Sequence, residues 1–265
     1  MTRKKNTTIY GDFAAVYDTM SADEHSLKMV PYTQRIFRRF RFRGVDGLDL
    51  CCGTGSATLA LAEAGYRMRG VDGSQPMLRQ ARLKARAARS RAPRETKFYH
   101  GALPDFRADR ALKRPEQCDF VVSYYDSLNY ALTEEDLGLT FLHVAGLLKT
   151  GGLFVFDMNS NEALKVIWGA QVYAGFTDDI AWIWKNQYYA RAKMADARTV
   201  FFVRRGKSDV WRRFEETHTE RAYSISAVRK LLRGAGLTPV AAYRCFSFAP
   251  AKSNDYRFCF VARKP

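Results

Sequence analysis

Acidic residues are scarce in this chain: 27 Asp and Glu stand against 43 Lys and Arg in 265 residues, a formal net charge of +16. The imbalance admits a nucleic acid or acidic substrate, and equally an arginine-rich solvated surface. Long apolar runs are also missing. No stretch approaches the roughly 18 consecutive apolar residues of a spanning helix, so membrane insertion is not expected. The four histidines (25, 100, 143, 218) and five cysteines (51, 52, 118, 245, 259) show neither metal-ligand spacing nor a C-x-x-C pair. A metal site and a disulfide framework are therefore not expected, and the thiols fit a reduced, cytoplasmic protein. The basic start Met1-Thr2-Arg3-Lys4-Lys5 leads into no apolar segment, so no secretory leader is expected. Arginines cluster at 35–43 and 79–97 without an RNA-binding signature, which places nucleic acid behind a small molecule as the expected partner. A hydrophobic fraction of 47% is ample for one buried core, and the length suits one domain carrying an insertion.

The stretch 48–72 organises the rest. Leu48-Asp49-Leu50 reads as a strand and Cys51-Cys52-Gly53-Thr54-Gly55 as a tight turn. Residues 56–64 read as an Ala/Leu-rich helix stopped by Gly65, and Met68-Arg69-Gly70-Val71-Asp72 as a second strand ending on an acid. Lacking Cβ, Gly53 and Gly55 let the backbone approach a ligand closely or adopt positive φ. The helix start adds unpaired N–H groups and a positive dipole end. Asp72 falls beside the crevice where open α/β sheets bind ligands, and its carboxylate can accept from both hydroxyls of a ribose. A purely structural turn and a dinucleotide site compete with this reading, but residues 53–58 lack the third glycine of G-x-G-x-x-G.

The stretch closely resembles motifs I and II of class I S-adenosylmethionine (SAM)-dependent methyltransferases, D-x-G-x-G-x-G followed by an acid, with Cys51 in place of the first glycine. Other segments extend the resemblance over nearly the whole chain. Phe13-Ala14-Ala15-Val16-Tyr17-Asp18 is similar to the F-A-x-x-Y-D segment that folds over the cofactor, which implies that Tyr10 and Tyr17 face it, whereas the spacing alone fits a core-packing Tyr17 equally well. Val71-Asp72-Gly73-Ser74-Gln75-Pro76-Met77-Leu78 matches V-D-x-S-x-x-M-L, with Ser74 as N-cap and Met77 on the adenine side. Residues 97–103 fit the third strand and the turn after it; where relatives carry an acid for the adenine amine, this chain has Ala102, leaving backbone or Asp105 to serve. The apolar fourth strand ends on Ser123-Tyr124-Tyr125 and runs into Asp126-Ser127-Leu128-Asn129-Tyr130, the place of motif IV. Leu148-Lys149-Thr150-Gly151-Gly152 stands for L-K-P-G-G before the fifth strand, 153–159.

Elsewhere the pattern predicts a helix over 27–40, with Pro31 in its first turn or kinking it, and a helix over 134–148 capped by Thr133. Strands are predicted at 172–176, 180–189, 199–205 and 211–219, an antiparallel insert that covers the core strands and builds a substrate pocket. A helix over 224–234 and closing strands over 238–248 and 255–261 end the chain. The resemblance implies a Rossmann-like seven-stranded sheet with an antiparallel last strand, into which the pattern places an inserted antiparallel cap. The expected divisions are a core with a helical lid (1–165), the cap (166–221) and the closing part of the core (222–265). In Glu215-Glu216-Thr217-His218, Glu216 and His218 share one strand face, either aimed at the pocket or on an exposed edge. The resemblance implies SAM as cofactor, S-adenosylhomocysteine as product and a small-molecule amine as acceptor, as in nucleotide-amino-sugar N,N-dimethyltransferases. Expected cofactor residues are Tyr10, Tyr17, Asp49, Cys51, Gly53, Gly55, Asp72, Gly73, Met77, Gly101, Ala102, Leu103, Ser123 and Tyr124. Expected catalytic residues are Tyr17 and Asn129, positioning substrate, with Glu216 or His218 taking the acceptor's proton. An RNA methyltransferase and a non-catalytic SAM-fold protein are the alternatives, and the chain is expected to be a monomer or homodimer.

Overall fold

A computed structural model describes residues 9–88, 96–106, 117–206 and 208–265. The basic N-terminus, Lys207 and the part of the arginine run at 89–95 lie outside these residues. The core alternates strand and helix: α1 (Glu24–Arg39), β1 (Asp46–Leu50), α2 (Ser56–Glu63), β2 (Arg67–Asp72), α3 (Gln75–Ala87), β3 (Lys97–His100) and β4 (Cys118–Ser123). It continues with α4 (Glu134–Leu147), β5 (Leu148–Asn159) and the short α5 (Asn161–Val166). An uninterrupted β-meander follows, β6 (Val172–Phe176), β7 (Ile180–Tyr189), β8 (Met194–Arg204) and β9 (Trp211–Arg221). The chain closes with α6 (Ile225–Gly234), β10 (Thr238–Arg244) and β11 (Arg257–Arg263).

Seven strands form one sheet in the order β10-β11-β5-β4-β1-β2-β3, with β11 antiparallel to both neighbours and the other pairs parallel. Period-2 alternation sends the strand side chains into two apolar layers. Val121, Phe154, Phe156 and Phe260 join the α4 and α6 side, while Phe120, Val122, Val155 and Val261 join the α1 and α2 side. Both faces are covered, as a largely parallel sheet requires. The strand order reverses between β1 and β4, and this is where a crevice opens at the carboxyl ends. The meander forms a separate antiparallel sheet, β6-β7-β8-β9.

Local signals account for most boundaries. Ser74 and Thr133 cap α3 and α4 by accepting from the Met77 and Asp136 N–H groups. Gly65 ends α2 at φ +100°. One expectation shifts: α1 starts at Glu24, so Pro31 lies inside the helix and leaves the Leu27 carbonyl without its helical donor. Asp23 precedes the helix but does not cap it; its carboxylate takes the Ser56 hydroxyl at 2.5 Å instead.

Candidate active site

The crevice holds a cavity of about 350 Å³. Its floor is the turn after β1, where Cys51, Gly53 and Gly55 take φ of +62°, +55° and +75°. Only Gly55 is also sterically confined: a Cβ there would lie 2.9 Å from the Phe98 ring. Asp72, at the end of β2, pins the turn by accepting from the Gly53 N–H at 2.8 Å and the Ser74 N–H at 2.7 Å. Burial raises its pKa, and those two N–H groups oppose the rise. Each Asp72 oxygen keeps a further lone pair for a ligand in the cavity it lines.

Residues 9–22 close over this floor. Glu216 on β9 accepts from the backbone N–H groups of Tyr10, Gly11 and Phe13 at 2.6, 3.0 and 3.3 Å. The Tyr10 carbonyl accepts from the Ser74 hydroxyl, and Asp18 bridges the Thr54 hydroxyl and the Lys84 ammonium at 2.6 Å each. Phe13 stacks on Phe201 of β8 with ring centroids 4.5 Å apart. The meander therefore braces the lid, and none of residues 166–221 lines the cavity, contrary to the expectation that the insert walls the pocket. Its inner face is already occupied by lid aromatics.

Five tyrosines line the cavity: Tyr10, Tyr17, Tyr124, Tyr125 and Tyr130. Burial is the leading cause that pushes Tyr10, Tyr17, Tyr124 and Tyr130 well above the usual phenol range, so these hydroxyls are neutral at physiological pH. Cys51, Gly53, Asp72, Gly73, Met77, Ala102 and Leu103 line it too. Asp105 is exposed and faces His143 at 3.7 Å, away from the cavity.

Several expected site residues stand behind the wall instead. Asp49 is buried under the turn, accepts the Thr58 hydroxyl at 2.5 Å and is pushed up to about 7 by burial. Gly55 shapes the turn without lining the cavity, and Gly101 makes room for the Phe106 carbonyl. Ser123 is buried with its hydroxyl unpartnered among the described residues. Asn129 is 0% exposed; it donates to the Asn159 and Arg221 carbonyls and accepts from the Asn159 N–H, so its amide is fully spent on backbone and cannot position substrate. Glu216 and His218 are 3% and 6% exposed on the inner face of β9, which excludes the exposed-edge reading, but neither reaches the cavity directly.

A buried charge cluster under Tyr125 was not legible in the sequence. Tyr125 and Asp126 both take positive φ, +56° and +52°, just beyond β4. Arg257 on β11 bridges Asp126 at 2.6 Å and Asp157 at 2.5 Å, and His25 Nε2 lies 3.2 Å from Asp157. Burial alone would raise Asp157, but Arg257 and His25 outweigh it and hold the carboxyl at about 2. Glu220 is driven the other way, well above the carboxylate range, by burial and the neighbouring Asp126. Tyr125 is held over this cluster, stacked on His25 at 5.0 Å with the Arg257 guanidinium 5.5 Å from its ring.

A family model described as a methyltransferase domain matches residues 48–152. A candidate methyltransferase of Geobacillus sp. strain WCH70 is 27% identical over 96% of this chain and 99% of its own. The crystal structure of a SAM-dependent methyltransferase from Clostridium acetobutylicum superposes with a TM-score of 0.81 at 27% identity, covering 96% of this chain and 98% of that one. The sugar N-methyltransferase KedS8 from Streptoalloteichus shares the fold at a TM-score of 0.71 and 18% identity, over 99% of both chains. The glycine turn, the acid at the end of β2 and the cavity between them fit the nucleoside and sulfonium of SAM. With a site that fits this cofactor, a sheet that matches these neighbours, and these relatives, the chain is a SAM-dependent methyltransferase.

Proposed function

We propose that the enzyme methylates a nitrogen of a small-molecule acceptor, as the nucleotide-amino-sugar N,N-dimethyltransferases that its sequence resembles do. The observation that carries this reading is a line of hydrogen bonds leading out of the tyrosine-walled cavity. Tyr10 Oη lies 2.8 Å from Tyr130 Oη, which lies 2.9 Å from His218 Nδ1. Bound SAM supplies a methyl group already activated by its sulfonium. An amine must lose its ammonium proton before its lone pair can attack. With Tyr10 donating to Tyr130 and Tyr130 donating to Nδ1, a lone pair of Tyr10 is left to accept that proton. Each neutral phenol passes a proton on, and His218 takes up the last. Glu216, 3.5 Å from His218 Nε2, faces the imidazolium so formed. Glu216 thus supports the acceptor of the proton and clamps the lid.

The remaining roles follow the same reading. Asp72 holds the ribose, Met77, Ala102 and Leu103 flank the base, and Gly53 and Gly73 admit the ligand to the backbone. The ring face of Tyr17 favours a cation in a dry site. Residues 166–221 act as a cap through the lid they brace. The relatives favour this enzyme over an RNA-modifying or non-catalytic protein.

Incubation with methyl-labelled SAM and a panel of free and nucleotide-linked amines should give an N-methyl product identified by NMR. Transfer to oxygen alone, or to no amine while SAM still binds, would overturn the reading. Tyr130→Phe and His218→Asn should each lower turnover about 10²-fold, with SAM affinity kept.

A further inference from the structure

A second, larger cavity of about 750 Å³ opens among the α5 start, the β7–β8 turn, α6 and the β10–β11 loop. Every charged group on its lining is a cation: Lys193, Arg229 and Arg233. No carboxylate among the described residues comes within ion-pair distance of any of the three, whereas Arg257, Lys84, Lys149 and Arg198 all have acid partners. Arg229 and Arg233 stand at i and i+4 on α6, a like-charge placement that is unfavourable for the helix alone and is relieved by an anion between them. Ser253 adds an uncharged donor, and the Ser224–Ser226 hydroxyl pair, 3.0 Å apart, keeps one of its two protons free. Asn161 adds its amide N–H groups, since its Oδ1 is taken by the Tyr188 hydroxyl at 2.8 Å. The floor includes the buried Tyr223 and Phe258. None of these residues lines the cofactor cavity.

We propose that this cavity binds a small molecule carrying a phosphate or diphosphate, held between Arg229, Arg233 and Lys193. Guanidinium forks match phosphate oxygens in pairs, and the ammonium supplies a point charge opposite them. The concave shape selects a compact anion over the convex backbone of a nucleic acid. Asn161, Ala222 and Phe258 closely follow Asn159, Glu220 and Arg257 in sequence, so the site backs onto the buried charge cluster without opening into it.

The test uses the full chain loaded with S-adenosylhomocysteine, which keeps the cofactor cavity filled. Inorganic pyrophosphate and uridine diphosphate are titrated by calorimetry at low and moderate salt. Binding that falls at least tenfold in Arg229→Ala/Arg233→Ala, and stays unchanged in Arg79→Ala/Arg86→Ala on the exposed face of α3, supports the site. Lys193→Ala, in an exposed turn, gives the same readout should the double variant fail to bind S-adenosylhomocysteine. No binding at millimolar probe, equal loss in both arginine pairs, or tighter binding of an RNA oligomer through Arg229 and Arg233 would each overturn it. The acceptor methylated in the other cavity does not enter this test.

Discussion

Single side chains here divide by whether their lone pairs remain free. Asp72 spends one hydrogen bond per oxygen on the turn and keeps the rest for ligand. Asp72→Asn should therefore weaken SAM binding by about 10–100-fold in a calorimetric titration, the scale of a lost charge-assisted bond. Asp49, one turn deeper, meets only the Thr58 hydroxyl, and burial lifts it to about 7. The native state then holds a proton that the unfolded chain has released above its ordinary carboxylate pKa. Stability accordingly falls as pH rises from about 4 to 7, by up to about 4 kcal/mol, and levels off above. Urea midpoints across this window should show that slope in the parent chain, and Asp49→Asn should flatten it. Both acids were expected at the cofactor from the sequence, Asp49 within β1 and Asp72 at the end of β2. What separates them is which layer the turn places above them.

The lid is the element on which the cavity depends, and it is fastened by the second sheet. Glu216 gives both carboxylate oxygens to lid N–H groups, and Phe201 stacks on Phe13. Glu216→Gln should weaken SAM binding about tenfold and speed limited proteolysis within residues 9–22, since one charged acceptor replaced by an amide forfeits bonds worth about 1.5–3 kcal/mol each. Phe201→Ala should destabilise the chain by about 3 kcal/mol in chemical unfolding, through the cavity left between lid and meander. The strand alternation that joins Glu216 and His218 on one face was readable from spacing. Whether that face met solvent, substrate or lid depended on how the meander docks.

Across the whole molecule, Arg257 joins the last strand to the carboxyl ends of β4 and β5 through Asp126 and Asp157. Arg257→Met would leave two buried carboxylates without their cation and should cost about 3–5 kcal/mol, with part of the loss recovered by adding Asp126→Asn and Asp157→Asn. Asp157, held at about 2, contributes stability that is complete above the ordinary carboxylate pKa and lost as pH falls toward 2; acid unfolding of Asp157→Asn should be shallower. The antiparallel closing strand was expected from the family resemblance, whereas strand and helix order, the glycine turn, the acid ending β2 and the caps at Ser74 and Thr133 were legible in local sequence. Each follows from apolar periodicity, absent Cβ atoms or a short-range hydrogen bond, which act within a few residues. The Arg257 cluster, the spent amide of Asn129 and the clamp by Glu216 join groups from 30 to more than 200 positions apart. No local pattern encodes such pairings, because desolvation and Coulomb attraction choose partners only after the layers have packed.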